Sequence, residues 1–249
     1  MRAALITGGG SGIGLRAAEH LLRDGCAVTL MGRSEERVRA AAEKLGEEAR
    51  WSAGSVDDED AVRRAVEVAD ADGELDVAVL AAGAGTGGPL LMGSREDWDA
   101  TMATNLTGAF LTIKHAGQAM AQHGGGSIIA LSSIAGVRTH RFMTPYCVSK
   151  AGLEMLVMNA ADELGPMGIR VNAVRPGLVP TDLSAGLVAS EPIVRDYLSQ
   201  MPVGRLGTTD DIAAAIRYLA GEESGWVTGV CLSVDGGHHL RRGPWLDVS

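Results

Sequence analysis

The chain has 249 residues, 46% of them hydrophobic but only 4% aromatic, so Ala, Val, Leu and Met must fill its core. Lys and Arg number 22 against 31 Asp and Glu, a net charge of −9 with no basic cluster, which argues against nucleic acid or an anionic membrane surface as a partner. Three widely spaced cysteines (Cys26, Cys147 and Cys231) without a C-x-x-C read as buried free thiols, no apolar run is long enough to span a membrane, and a cytoplasmic location is expected.

Short apolar runs alternate with amphipathic segments of helical length. Ala3 to Thr7 reads as a first strand, and Gly8-Gly9-Gly10 stops that run too early for a signal peptide. Leu15 to Arg23 reads as a helix, Ala27 to Met31 as a strand and Glu35 to Leu45 as a helix. A short strand over Arg50 to Ala53 and a helix over Asp57 to Val68 come next. Leu75 to Ala81 is a fourth strand, and Ser94 to Gln122 is largely helical with Ser94 as its N-cap. Ser127 to Leu131 is the fifth strand, followed by a helix over Thr144 to Leu164 and a strand over Ile169 to Val174. Asp210 to Leu219 is a late helix and Val230 to Val234 a last strand. Strands apolar on both faces, alternating with helices, predict a parallel sheet covered on both sides. No repeat, low-complexity tract or linker interrupts the pattern, so residues 1–249 read as a single α/β domain.

Between the first strand and its helix lies Thr7-Gly8-Gly9-Gly10-Ser11-Gly12-Ile13-Gly14. Glycines there let backbone N–H groups approach a diphosphate at the positive end of a helix, the arrangement of a Rossmann-type, doubly wound dinucleotide fold. After the second strand, where an acid would hold the ribose of NAD, the chain reads Gly32-Arg33. A guanidinium suits a phosphate, so NADP(H) is favoured over NAD(H).

Tyr146 and Lys150 are four apart in Tyr146-Cys147-Val148-Ser149-Lys150, on one face of a helix opened by Thr144-Pro145. With three tyrosines and three lysines in the chain, chance rarely supplies this pairing. A free phenol titrates near pH ~10. A neighbouring ammonium, together with an oxidised nicotinamide, is expected to lower that value and make Tyr146 an acid–base group. Ser133 emerges just past the fifth strand, at the carboxyl end of the sheet where ligands bind, and can hold a substrate oxygen against Tyr146.

Over nearly its whole length the chain resembles the short-chain dehydrogenase/reductase family. The matching motifs are Thr7-Gly8-x-x-x-Gly12-x-Gly14, Asn105-Leu106-Thr107-Gly108, Ser133, Tyr146-x-x-x-Lys150, Arg175-Pro176-Gly177 and Val234-Asp235-Gly236-Gly237. The resemblance implies Tyr146 as acid/base, Ser133 as partner of the substrate oxygen, and Lys150 on the nicotinamide ribose. It implies that Asn105 supports a proton-relay water through its main chain. Cofactor contacts are implied for Gly8, Ser11, Gly12, Ile13, Gly14, Arg33, Ser55, Val56, Ala82, Gly83, Tyr146, Lys150, Pro176, Gly177, Val179 and Thr181, with no metal. Two positions depart from the family. Its Asn-Asn-Ala-Gly is here Leu80-Ala81-Ala82-Gly83, so hydrogen bonds of those asparagines must come from elsewhere. Ser55 stands where an aspartate often meets the adenine.

The expected activity is interconversion of a secondary alcohol and a ketone. A 3-oxoacyl-thioester reductase is the alternative within the enzymes, and a nucleotide-sensing binding protein the alternative outside them. A segment over 183–201, with Leu187, Val188, Ile193, Val194, Tyr197 and Leu198, reads as a lid with an apolar inner face, favouring an apolar substrate. His140, Arg141 and Phe142 are candidates for the pocket rim, with a solvated loop position the favoured alternative for His140 and Arg141. The helix from Tyr146 to Leu164 is apolar around most of its circumference, which points to burial on a second side. The family resemblance implies a homotetramer. Trp245, in the tail over 238–249, is expected to pack, with a neighbouring subunit as one option.

Overall fold

The computed structural model describes residues 2–241. Strands β1 (Ala3–Thr7), β2 (Ala27–Gly32), β3 (Ala49–Ala53), β4 (Leu75–Leu80), β5 (Gly126–Leu131), β6 (Ile169–Pro176) and β7 (Cys231–Val234) form one sheet in the order β3-β2-β1-β4-β5-β6-β7. Every adjacent pair is parallel. The central strands bury both faces, as their unbroken apolar runs require: Val77, Ala78 and Val79 on β4 and Ile128 and Ile129 on β5 have no exposed surface.

Two apolar layers flank the sheet. One packs helices α1 (Gly12–Arg23), α2 (Glu35–Leu45) and α9 (Thr209–Ala220) around Ile6, Leu30 and Val79. The other packs α3 (Glu59–Ala69), α5 (Gly108–Gln122) and α6 (Thr144–Leu164) around Leu5, Ala78 and Ile128. The chain moves outward from β1 to β3 and then returns to place β4 on the other side of β1. At that reversal the loops diverge and leave a crevice at the carboxyl ends of the strands.

The alternation of elements follows the sequence reading. Ser94 caps α4 (Arg95–Met102), its Oγ accepting from the Asp97 N–H at 3.0 Å. The helix expected to run on to Gln122 is interrupted by a π turn over Ala103–Thr107 before α5 begins. At the restart Gly108 presses against Val56, where a Cβ would come within 2.5 Å of Cγ2. The first helix starts at Gly12 rather than Leu15, because the end of the glycine turn is itself the first helical turn. Of the three free thiols only Cys26 is buried; Cys147 and Cys231 are half-buried, which corrects the expectation for those two. The segment over 183–201 is broken into α7 (Ala185–Val188) and α8 (Glu191–Gln200), with Pro192 in the first turn of α8. Among the described residues no helix is long and apolar enough to cross a membrane. Trp245 lies outside the described residues.

Candidate active site

A cavity of about 1040 Å³ runs along the crevice from the end of β2 to α6. Its floor is the glycine turn after β1. A Cβ on Gly14 would lie 2.5 Å from the Gly8 carbonyl oxygen, and one on Gly8 would lie 2.8 Å from the Ala81 oxygen. Gly8 (φ 65°) and Gly12 (φ 55°) also occupy the left-handed region, which disfavours a side chain. The turn is therefore a shallow backbone cradle against the start of α1, and only glycine builds it.

Every residue expected to touch a cofactor lines this one cavity, from Gly8 to Gly14 and Arg33 at one end to Pro176, Gly177, Val179 and Thr181 at the other. Arg33 is exposed at the β2 end. Arg37, which sequence reasoning missed, stands beside it: its stem packs over Gly10, 3.2 Å from the position a Cβ would take there, and its guanidinium meets Asp182 at 3.6 Å. The signal for Arg37 was its place one turn after Arg33, just inside α2. Gly32 has little room for a side chain, since a Cβ would lie 2.9 Å from Val38 Cγ1.

At the other end, Tyr146 and Lys150 share a face of α6, with Lys150 Nζ 5.6 Å from the centre of the Tyr146 ring. Ser133 lies close enough to the phenol to favour its ionised form; it follows β5 and caps a short 3-10 turn by accepting from the Ala135 N–H at 3.1 Å. Lys150 is buried and donates to the Leu131 carbonyl at 2.7 Å. Burial pushes the Tyr146 phenol above its ordinary value, with Ser133 working the other way. Burial also pushes Lys150 down, to about 8, against the attraction of Glu154. The lowered phenol was expected with an oxidised nicotinamide beside it; in the chain by itself the phenol is raised. Loss of hydration penalises the phenolate, and Lys150 spends a hydrogen bond on Leu131.

Asn105 lies behind the cavity wall, not on it. It is buried inside the π turn, accepts from the Ala84 N–H at 2.8 Å, and donates to the Ala84 carbonyl at 2.8 Å and to Ser149 Oγ at 2.9 Å. With Thr7 Oγ1 accepting from the Ala82 N–H at 3.4 Å, it satisfies the loop that lacks the family's asparagines. The substrate end is walled by Gly85, Met143, His140, Leu183, Leu187 and Tyr197. His140 thus lines the cavity and is not the solvated loop residue that the sequence favoured. Arg141 and Phe142 do not line the cavity; Arg141 stacks on the Phe142 ring at 5.0 Å, and both are exposed. From the lid only Leu187 and Tyr197 of the six expected apolar residues reach the cavity. Tyr197 packs edge-on to His238 at 5.4 Å and lies 6.1 Å from His140. Among the described residues no cluster of His, Cys, Asp and Glu could hold a metal.

A family model described as enoyl-(acyl carrier protein) reductase matches residues 8–239. The 3-oxoacyl-[acyl-carrier-protein] reductase of Chlamydia muridarum is 34% identical over 241 residues, 95% of this chain and 96% of its own. The L-rhamnose 1-dehydrogenase (NAD(P)(+)) of Azotobacter vinelandii is 37% identical over 245 residues, again 95% and 96%. Among solved structures, a short-chain type dehydrogenase/reductase from Mycobacterium ulcerans superposes with a TM-score of 0.94 at 38% identity, over 98% of this chain and 91% of that one.

Proposed function

This chain belongs to the short-chain dehydrogenase/reductase family of oxidoreductases, and on that premise we propose that it interconverts a secondary alcohol and a ketone with NADP(H). The carrying observation is the convergence of Tyr146, Ser133 and Lys150 at one end of a cavity whose floor is the glycine cradle. That cradle fits a dinucleotide, because its bare backbone and the start of α1 accept a diphosphate where any Cβ would intrude. A bound nicotinamide supplies or accepts the hydride.

The remaining chemistry falls to the chain. In reduction the Tyr146 hydroxyl donates its proton to the carbonyl oxygen, and in oxidation the phenolate takes the proton back. Ser133 Oγ holds that oxygen beside the phenol. The Lys150 ammonium stabilises the phenolate and holds the ribose. Asn105 anchors the Ala84 loop against α6 and supports a relay water through its main chain. Arg33 and Arg37, flanking a Gly32 with little room for an acid, favour a 2′-phosphate and hence NADP(H). Leu183, Leu187 and Met143 favour an apolar substrate of moderate size. Similarity to a 3-oxoacyl reductase keeps a 3-oxoacyl thioester as the second reading.

The proposal includes a single domain acting as a homotetramer. Phe110, Val148, Met155 and Met158 leave apolar surface exposed on α5 and α6, and Tyr218, Trp226 and Leu232 do so beside β7. Screening simple ketones, alcohols and 3-oxoacyl thioesters with both nicotinamide cofactors tests the activity. Turnover of simple ketones and alcohols supports the first reading, turnover confined to thioesters selects the second, and cofactor binding without turnover rejects the enzyme reading.

A further inference from the structure

Glu154 is one helical turn beyond Lys150 on α6 and is 5% exposed. Its carboxylate accepts from Ser132 Oγ at 2.8 Å, from Arg175 Nε at 2.6 Å and from Arg175 Nη2 at 2.7 Å. Arg175 Nη1 in turn donates to the Cys231 carbonyl at 3.0 Å. One carboxylate therefore joins α6 to the ends of β5 and β6 and, through the arginine, to β7.

Ser132 sits between the two residues that touch the pair at positions 146 and 150. On one side the Leu131 carbonyl accepts from Lys150 Nζ at 2.7 Å, and on the other Ser133 lines the cavity with Tyr146 and acts on its phenol. A shift of Ser132 along α6 would move both contacts together. The following turn is pressed onto the same part of the helix, since a Cβ on Gly136 would lie 2.9 Å from Glu154 Oε1 and 3.2 Å from the Lys150 carbonyl.

From this geometry we infer that Glu154 is a positioning residue for the Tyr146–Lys150 pair, acting through Ser132 on the end of β5 and through its charge on Lys150. The inference rests on the reading of that pair as the acid–base centre. A buried ion pair is a weak source of stability compared with apolar packing, so stability alone gives little reason for Glu154 and Arg175 to occupy these positions. The charged and titratable groups facing Lys150 are Tyr146 and Glu154 on its own helix; Arg175 from β6 faces Glu154, and Cys231 and Asp235 act on Arg175 from β7 and the turn after it. Glu154 is the anion among them that favours a protonated Lys150, and it offsets part of the effect of burial.

Two substitutions in the full chain separate positioning from folding. Ser132→Ala removes the bond to β5 and leaves both arginine bonds intact. It should lower kcat roughly ten- to a hundredfold per folded protein, with cofactor KM unchanged. Glu154→Gln keeps an acceptor for Ser132 and removes the charge. It should move the Lys150 titration, read by NMR on isotope-labelled lysine, to a pH about one unit lower. The chain has only three lysines, and Lys44 and Lys114 are exposed, so the Lys150 signal stands apart. Wild-type kcat in Ser132→Ala overturns the role through β5, and an unmoved Lys150 titration in Glu154→Gln overturns the role through charge. Full turnover in Tyr146→Phe would instead sink the acid–base reading, while the lysine titration would still report on Glu154.

Discussion

Lys150 Nζ lies 5.6 Å from the centre of the Tyr146 ring, and the two groups are displaced from their ordinary titration in opposite directions by the same enclosure. The phenol is held protonated and the ammonium is brought down to about 8. A proton donor and a cation that can yield thus share one wall of the cavity.

Tyr146→Phe removes one oxygen and keeps the ring packing. Turnover should fall by orders of magnitude, with cofactor affinity and thermal stability nearly unchanged. Steady-state kinetics alongside a thermal melt check this, and retention of more than about a tenth of wild-type kcat would remove Tyr146 from its role.

If NADP binds as proposed, Arg33→Ala and Arg37→Ala should each raise KM for NADP roughly tenfold or more while leaving NAD little affected, because each removes a charged donor from the β2 end of the cavity. Introducing an acid at Gly32 is a poorer test, since its Cβ would lie 2.9 Å from Val38 Cγ1. A wild type that already prefers NAD refutes the assignment.

Asp210 on α9 accepts from Arg16 Nε and Nη2 on α1 at 2.7 and 2.6 Å and meets His20 Nε2 at 2.9 Å. Its bond to Arg16, and then that to His20, hold the carboxyl down at about 2. A depressed carboxyl contributes stability above its unfolded value of about 3.9 and loses it as pH falls towards the folded one. Asp210→Asn should therefore flatten the fall in stability between about pH 4 and pH 2. Asp211, depressed by Arg205, keeps part of the slope in both proteins. Urea midpoints across that range give the comparison, and parallel curves would count against the ion pair.

Met155 and Met158 are 57% and 42% exposed on a helix whose other face is buried in the core. Light scattering at micromolar concentration should give a tetramer mass for the wild type and a smaller one for Met155→Glu combined with Met158→Glu, as charge is forced into an apolar contact. A monomeric wild type would mean that the exposed methionines need no partner.

Much of this protein is local in origin and was readable from the chain alone. Strand and helix alternation follows from hydrophobic period, and the spacing of Tyr146 and Lys150 is a property of one helix. The glycine turn declares itself by the spacing of Gly8, Gly12 and Gly14 directly after the first apolar run. Other relations depend on which strand ends the sheet order brings together. Ser132 and Arg175 lie 22 and 21 residues from Glu154 on opposite sides, and only the pairing of β5 with β6 beneath α6 puts them on one carboxylate. Asn105 reaches Ala84 because a π turn, absent from any periodic reading, rotates it inward. The direction of the Tyr146 shift was also beyond the sequence: spacing places a lysine near a phenol, but in the chain alone burial, which the whole fold determines, raises the phenol against the influence of Ser133.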